Sequence, residues 1–418
     1  FDSFHIPGAS LNLSPLTWTI TPGENGTWAF DQDQPLSLAL KMAGAGGVTL
    51  RIGAMKSAGV FDEALGGFAS SEAELTGVSL ERVIVEPGQT THTAYDMETV
   101  SYRSRMAGTG ESASGTMSYG YTGFRQTVEV TGGTGAAEAN YTLTSPEGMQ
   151  TASISGLKMR ALGELAGWFM AHASAEAVIA GEQELRPQVR AALPVFRTIT
   201  SSTEMSRVSI TSALGHVTLA RLGSDTEMNG LVADGLIRQG FSLSGLELPS
   251  ALLPPWAQEL APKALALDVS LTGFDLATPA MMIVDGMNLS ACQPLPPGFE
   301  MQLLAALLPK GGVEIALGSS EAASSLFRIT GEGSLRLGPV VPPQGQATVR
   351  MRGLDELMSA LQAAPPEAGL QDLSAAFLMI KGLARHEEGG SSAWTITAGP
   401  DGSVIVNGTD VSKMLGGQ

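Results

Sequence analysis

Apolar and polar residues alternate in short runs through the first third of the chain. The segment 11–20 alternates over most of its length, a turn follows at residues 22–26, and 27–30 resumes the alternation. Because successive side chains of a strand point to opposite faces of a sheet, this pattern predicts a β-hairpin. The segment 31–34 is predicted to be a polar turn. Further strands are predicted at 36–40, 48–52, 82–85, 100–103 and 116–121.

Residues 157–196 have a different spacing of apolar positions. Leu162, Leu165, Trp168 and Phe169 share one face at 3.6 residues per turn, and β-branched residues become rare. Pro187 and Pro194 interrupt the later part, so this longest helical segment is predicted to form two or more pieces. Beyond it, the sequence predicts strands at 207–210, 216–221, 313–317 and 326–330, short helices at 252–260, 298–308 and 355–363, and a C-terminal hairpin at 394–406.

A short motif recurs in which a glycine lies between apolar residues, as in Leu75–Leu80 and Leu243–Leu248. An isolated glycine in a strand marks a bulge, a bend or a close backbone approach, so the motif predicts sheets that curl. Along the sequence, the separation between Gly245 and Gly353 nearly equals that between Gly273 and Gly382, which predicts an internal duplication. Chance matches are the alternative, since the chain has 51 glycines. The six motif glycines are Gly77, Gly156, Gly245, Gly273, Gly353 and Gly382.

These patterns together predict an α+β fold dominated by β structure. We expect repeated curved antiparallel sheets, with one long helical segment and several short helices packed against them. Three regions are predicted. Residues 1–150 form a β-rich N-terminal region, 151–265 form a helix plus a β unit, and 266–418 form a related β/helix unit that ends in the C-terminal hairpin.

The charge balance excludes some classes of partner. The chain has 24 basic and 41 acidic residues and a net charge of −17, so it would be repelled by nucleic acid and by an anionic lipid leaflet. Charged residues are only 16% of the total, which is typical of secreted and periplasmic β proteins. No apolar stretch is long enough to cross a bilayer. The chain begins at Phe1 without a signal-like segment, and we expect a signal or an N-terminal anchor to have preceded it.

Candidate chemistry is sparse, and the sequence predicts no catalytic, cofactor-binding or metal-binding residue. Cys292 is the single cysteine and is expected to be a small apolar filler. The segment 240–244 resembles a hydrolase elbow, but Ser244 replaces the final glycine. Asp31 and Asp33 offer oxygen ligands without a calcium-binding loop. A catalytic pair of carboxylates, of the kind that glycosidases use, stays an open alternative, because such residues can be distant in sequence and close in the folded protein. The histidines are too far apart in sequence for a zinc motif: His5, His92, His172, His216 and His386.

Two segments near the C-terminus carry a resemblance to a known family. They are 329–354, which contains Ile-Thr-Gly-Glu-Gly-Ser-Leu-Arg-Leu-Gly, and 394–408, Trp-Thr-Ile-Thr-Ala-Gly-Pro-Asp-Gly-Ser-Val-Ile-Val-Asn-Gly. They resemble an uncharacterised alphaproteobacterial envelope family and, more distantly, the AsmA and YdgA-type periplasmic proteins. The resemblance covers about the last 90 residues well and the middle loosely. It implies a periplasmic, β-rich protein close to the membrane and a link to envelope assembly and lipid handling, and it transfers no catalytic residue.

The expected function is therefore that of a non-enzymatic periplasmic envelope protein. In the leading interpretation, a curled β-sheet groove binds or shields an apolar, lipid-like ligand, because 18 methionines provide adaptable surfaces for lipid tails. Methionines that merely fill an ordinary core are the simpler explanation of the same count. The alternative function is a scaffold subunit that docks on an envelope or membrane-protein complex. An enzyme is the third class, and a pocket with convergent titratable groups would indicate it.

Overall fold

The computed structural model describes residues 5–6, 9–15, 17–42, 46–133, 139–290, 298–339, 342–365 and 371–412. The chain divides into two compact units, each built from discontinuous ranges. Unit 1 contains 1–163, 201–223 and 247–252, and unit 2 contains 164–200, 224–246 and 253–418. The three regions expected from the sequence stay a prediction.

Unit 1 is built from long antiparallel strands. Neighbouring strands from β4 to β9 pair consecutively, and β2 and β3 both pair with β4. The strands are β1 (His5–Ile6), β2 (Ala9–Leu13), β3 (Thr19–Pro22), β4 (Thr27–Met42), β5 (Gly46–Asp62), β6 (Gly67–Glu86), β7 (Gln89–Thr109), β8 (Ser112–Thr131) and β9 (Tyr141–Leu157). β10 (Thr198–Ser212) and β11 (Gly215–Asn229) are divided between the two units.

A line of backbone irregularities crosses the long strands of unit 1. The pairing registers place Gly53 opposite Gly77, Gly77 opposite Glu98, Glu98 opposite Gly123, and Gly123 opposite Pro146. Gly77 and Gly123 have φ angles of 62° and 64°, a region that glycine adopts without the steric cost of a Cβ atom. Their neighbours show the consequence for side-chain direction. The rings of Tyr121 and Phe124 lie 5.4 Å apart although the two residues are three positions apart and would point to opposite faces of a regular strand. The alternation of faces therefore changes at Gly123.

Unit 2 combines a meander of antiparallel strands with most of the helices. Each strand from β12 to β15 pairs with the next, and β18 pairs with β16, β17 and β19. The strands are β12 (Leu236–Ser244), β13 (Ala264–Thr272), β14 (Val313–Ala323), β15 (Arg328–Leu337), β16 (Gln344–Arg352), β17 (Arg385–Glu387), β18 (Ser391–Ala398), β19 (Val404–Val406) and β20 (Thr409–Asp410). The helices are α1 (Met159–Ala171, which begins in unit 1), α2 (Ala175–Ala180), α3 (Glu182–Ala192), α4 (Ala277–Gly286), α5 (Phe299–Leu307), α6 (Leu354–Gln362) and α7 (Gln371–Gly382), with a 3-10 turn at Pro255–Ala257.

The buried core of unit 2 lies where α6 covers β16 and β18. Leu354, Leu357 and Met358 of α6 pack with Met351 and Trp394 of these strands, and all five are buried. The indole N–H of Trp394 donates a hydrogen bond to the carbonyl of Ile380 at 2.8 Å, which joins α7 to the same cluster. Partly buried side chains of the neighbouring strands complete the cluster, including Ile329, Val349 and Ile396.

The motif glycines share a backbone conformation but not a structural position. Five of the six have φ between 62° and 87°, and Gly382 is the exception. Gly77 and Gly156 lie within strands, whereas Gly245 and Gly273 follow the last residues of β12 and β13. Gly353 joins β16 to α6, and Gly382 ends α7. The motif therefore marks places that need a left-handed residue, and the predicted internal repeats are not confirmed.

The β-dominated character with a large antiparallel sheet and several helices is confirmed. The C-terminal hairpin pairs Ile396 with Val406, and the predicted helices near 298–308 and 355–363 are α5 and α6. The single long helical segment is not confirmed, because residues 159–192 form three helices and Pro187 lies inside the third. The polar turn predicted at 31–34 is wrong. These residues continue β4 because Asp31 and Asp33 lie on an exposed face, where a strand accepts charge.

Candidate apolar binding face

An apolar face forms on the sheet of unit 2 because β12 to β15 place aliphatic residues at alternate positions. Ile237, Leu271, Ile315 and Leu335 lie directly opposite one another on four adjacent strands. Four strands span about 14 Å at the usual separation between strands. A second row two residues further along contains the polar Gln239 on β12, followed by Val269, Leu317, Gly333 and Ala347. A third row pairs Phe241 with Leu267. We define the apolar face of unit 2 as the side chains of Ile237, Phe241, Leu243, Leu265, Leu267, Val269, Leu271, Ile315, Leu317 and Leu335.

Much of this face is open to solvent. Ile237, Phe241, Leu267 and Leu335 retain 43%, 38%, 44% and 36% of their accessible surface. The same face continues to β16 and β18, where α6 buries Met351 and Trp394. A half-buried antiparallel sheet normally covers its apolar side, and a large open apolar surface marks a binding site. The uncovered portion on β12 to β15 is therefore the strongest candidate site in the described part of the chain.

The opposite face of the same strands is polar, so the apolar side chains all lie on one side of the sheet. Arg238 donates two hydrogen bonds of 2.8 Å to the carboxylate of Asp268. This bidentate contact holds the pKa of Asp268 below its usual value and raises the pKa of Arg238. On the neighbouring strands Arg350 pairs with Glu332 and Arg328 with Glu321. If the pairing of one of these strands slipped by one residue, its aliphatic side chains would move to the charged face of the sheet. The alternation of apolar and charged residues therefore strongly specifies the pairing register.

A bulge in β14 shapes the apolar face. Between the pairs Leu317–Gly333 and Ser320–Gly331, β14 has one residue more than β15, and its pairing with β13 shifts at the same place. Such an extra residue bends its strand and increases the local twist. Gly318 lies in the bulge, where an added Cβ atom would approach the carboxylate of Asp268 to 2.3 Å. Gly318 is not one of the six motif glycines, so the curved sheets expected from that motif stay a prediction.

A polar network joins α3 to the C-terminal end of α4. The carboxylate of Glu182 accepts a hydrogen bond from the Leu289 N–H at 2.7 Å and pairs with Arg186, which also donates to the Met287 carbonyl. Arg190 pairs with Asp285 of α4. The Leu289 N–H is the main reason that the pKa of Glu182 lies below its usual value, with Arg186 contributing in the same direction.

This lowered pKa predicts a dependence of stability on pH. The ionised carboxylate stabilises the folded state above the ordinary glutamate pKa of about 4.3, and its contribution is lost as pH falls through the lower folded value. We expect Glu182→Gln to lower the melting temperature at neutral pH, and we expect the difference from the parent protein to shrink as pH falls below about 4. Melting curves of both proteins from pH 7 to pH 3 measure this. Glu184→Gln, in the same helical turn, is the control, and an equal pH dependence for both variants would contradict the prediction.

Unit 1 carries a polar groove on one face of β4 to β8. It encloses about 880 Å³, and its residues include Asp31, Asp33, Glu72 and Glu74. Lys56 lies 3.7 Å from Asp33, and Arg103 lies 3.7 Å from Glu72. A second groove of about 580 Å³ shares Ser101 with the first and extends to β9 and β10. Four carboxylates and two cationic side chains line this surface, so the groove favours a polar ligand over an apolar one.

The other face of unit 1 exposes aromatic residues near β3. Trp18, Ile20, Trp28 and Phe68 retain 45%, 53%, 37% and 43% of their accessible surface. Phe68 makes edge-to-face contacts with Phe30 and Phe61, with ring centroids 5.5 and 5.8 Å apart. We define these six residues as the aromatic patch. Tryptophan carries much of the binding energy at protein interfaces, and phenylalanine is enriched there, so this surface favours a protein partner.

The structure places most residues that the sequence offered as candidates for chemistry. His172 stacks on Trp168 at 4.0 Å, and His216 lies 3.0 Å from the Thr211 hydroxyl. His92 lies in β7 and His386 in β17. Within the described ranges, no three histidine, cysteine, aspartate or glutamate side chains converge as metal ligands do. Cys292 and the His5 side chain lie outside the described residues.

The sequence analysis missed two of the four strands that form the apolar face. It predicted neither β12 nor β13, and it considered 240–244 only as an approximate hydrolase elbow. The structure places Phe241 and Leu243 from this segment on the apolar face. The signal was present as alternation in β13, where Leu265, Leu267, Val269 and Leu271 are separated by small or polar residues.

In comparisons with protein-family models, with curated proteins and with solved structures, nothing matches this chain. Within the described residues, no helix combines the length and the apolar character needed to cross a membrane.

Proposed function

We propose that the protein is a non-enzymatic envelope protein that binds an apolar, lipid-like ligand along the apolar face of unit 2. The observation that carries this proposal is the uninterrupted aliphatic row Ile237–Leu271–Ile315–Leu335, whose first and last members are exposed. From Leu265 to Leu271 on β13 the face extends about 20 Å along the strand. This exceeds the depth of one leaflet, which is about half of a bilayer core of about 30 Å. An extended acyl chain therefore fits along it.

The chemistry of the face favours an acyl chain over a polar ligand. The side chains of the four-residue row have no hydrogen-bonding group, so binding gains come from burial of apolar surface at about 25 cal/mol per Å². The low proportion of charged residues and the resemblance to AsmA-like proteins support a periplasmic location in bacteria. The bulge in β14 supports the proposed curvature of the groove.

A fluorescent fatty acid and native mass spectrometry test the proposal. The double variant Phe241→Gln/Leu267→Gln makes the centre of the face polar and is expected to weaken fatty-acid binding tenfold or more, because each large side chain contributes about 1.5–3 kcal/mol on burial. Ser242→Gln/Ala266→Gln is the matched control. It changes the adjacent residues of the same two strands, which point to the opposite face.

Native mass spectrometry of the purified parent protein is expected to show retained lipid that the Phe241→Gln/Leu267→Gln variant lacks. Equal fatty-acid binding by the two double variants would contradict the proposed site. A parent protein that binds no fatty acid and retains no lipid would refute the proposed function.

The aromatic patch of unit 1 supports a second candidate function, that of a scaffold subunit. Trp18 and Trp28 are exposed, and such residues anchor protein–protein contacts. A stable complex that survives gentle purification, together with repeated absence of lipid, would favour the scaffold. Trp18→Ala would then be expected to weaken that complex without changing fatty-acid binding.

A further inference from the structure

The helices α4 and α5 are short and almost entirely apolar. Asp285 is the single charged residue of α4, and Glu300 is the single charged residue of α5. A helix that is apolar around its whole circumference normally lies inside a protein or a membrane. Each helix buries one apolar side chain against the rest of the protein, Val284 in α4 and Phe299 in α5.

Other apolar side chains of these helices are exposed. Ile283 retains 41% of its accessible surface, Met301 retains 72% and Leu304 retains 43%. Met301 and Leu304 are three residues apart and therefore share one face of α5. This apolar surface lacks a covering element within the described part of the chain.

The two helices are fixed at one end of the apolar face. β13 leads into α4, and α5 leads into β14. The Asp275 N–H donates to the Leu307 carbonyl at 2.9 Å, which ties the start of α4 to the end of α5. The Asp275 carboxylate accepts hydrogen bonds from the N–H and hydroxyl of Thr278, which holds the first turn of α4. Leu271 and Val313 lie at this end of their strands, so the helices lie next to the row Ile237–Leu271–Ile315–Leu335.

The chemistry of these helices favours a lipid surface as the occupant. With 10 and 9 residues they are too short to span a bilayer, for which about 20 residues are needed. Their exposed isoleucine, methionine and leucine side chains lack the tryptophan, tyrosine and arginine anchors of protein interfaces. The net charge of −17 opposes attraction to anionic lipid, so any attachment must rely on burial of apolar side chains.

We propose that α4 and α5 insert into the interfacial region of a zwitterionic bilayer, at the boundary between headgroups and acyl chains, and thereby bring the end of the apolar face to the membrane. This inference rests on the proposed function, since it explains how a lipid-like ligand reaches the face. The ligand then passes between two apolar environments that adjoin each other.

Flotation with phosphatidylcholine vesicles tests the inference. Met301→Glu/Leu304→Glu is expected to lower the partition of the protein onto vesicles tenfold or more, because two exposed apolar anchors become charged. Gln302→Glu/Lys310→Gln lowers the net charge by the same two units at exposed positions without replacing an apolar residue, and it is the matched control, expected to stay within about threefold of the parent protein. Raising the salt from about 0.1 M to about 1 M, which shortens the Debye length from about 10 Å to about 3 Å, should leave binding within about twofold.

Equal loss in both double variants, preferential binding to anionic vesicles, or a steep fall of binding with salt would overturn the inference. Binding of a monomeric fluorescent fatty acid separates this outcome from failure of the proposed function. A protein that binds the fatty acid but not the vesicles retains the proposed function and loses the membrane docking. Met301→Glu/Leu304→Glu is expected to bind the fatty acid as the parent protein does.

Discussion

Replacing Gly353 by alanine is expected to destabilise unit 2 by about 3 kcal/mol or more. Gly353 has a φ of 78°, and an added Cβ atom would lie 2.0 Å from the Leu326 carbonyl oxygen. Neither Gly353 nor Leu326 can shift without strain, because the backbone of both residues lies beside the buried cluster of Met351, Leu354 and Trp394. The unfavourable φ angle and the overpacking contribute in the same direction, which explains the size of the effect.

Gly382→Ala is the matched control for this substitution. Gly382 belongs to the same sequence motif, but it ends α7, lacks a positive φ, and has nothing within 4 Å of an added Cβ atom. Its replacement is expected to change stability by less than about 1 kcal/mol, in the stabilising direction, because alanine favours the helix. Urea unfolding followed by tryptophan fluorescence measures both variants. Equal effects at the two positions would show that the left-handed conformation of Gly353 is not the cause.

Truncating Leu357 to alanine is expected to cost about 3 kcal/mol, within the usual range for a buried leucine. Leu357 is 6% exposed and packs with Leu354, Met358 and Trp394 under α6. Its loss leaves a cavity between the helix and β16, because a rigid sheet relaxes only partly into the space. The free energy of unfolding of unit 2 measures the effect.

Leu378→Ala provides a control of the same chemistry. Leu378 lies on α7 of the same unit and is 56% exposed, so its truncation changes helix propensity as Leu357→Ala does but removes little packing. A cost below about 1 kcal/mol is expected. If both truncations cost the same, burial in the cluster would not explain the stability of this region.

The alternation of residues determined much of the β structure. Thr27–Phe30, the C-terminal hairpin and β14 follow from local pattern and turn chemistry, because the period of two and the turn residues are properties of the sequence itself. The helices α5 and α6 follow from the same kind of local signal. The glycine motif also carried real information, since five of its six positions adopt a positive φ.

The tertiary structure decided what those local signals meant. Gly353 and Gly382 lie in similar sequence contexts, yet one contacts the backbone of Leu326 and the other faces open space. The row Ile237–Leu271–Ile315–Leu335 joins residues up to about a hundred positions apart, and only the register of pairing brings them together. The sequence determined which residues are apolar and where strands alternate. Which alternating face is covered by α6, and which is left open for a ligand, depends on long-range packing that no local period encodes.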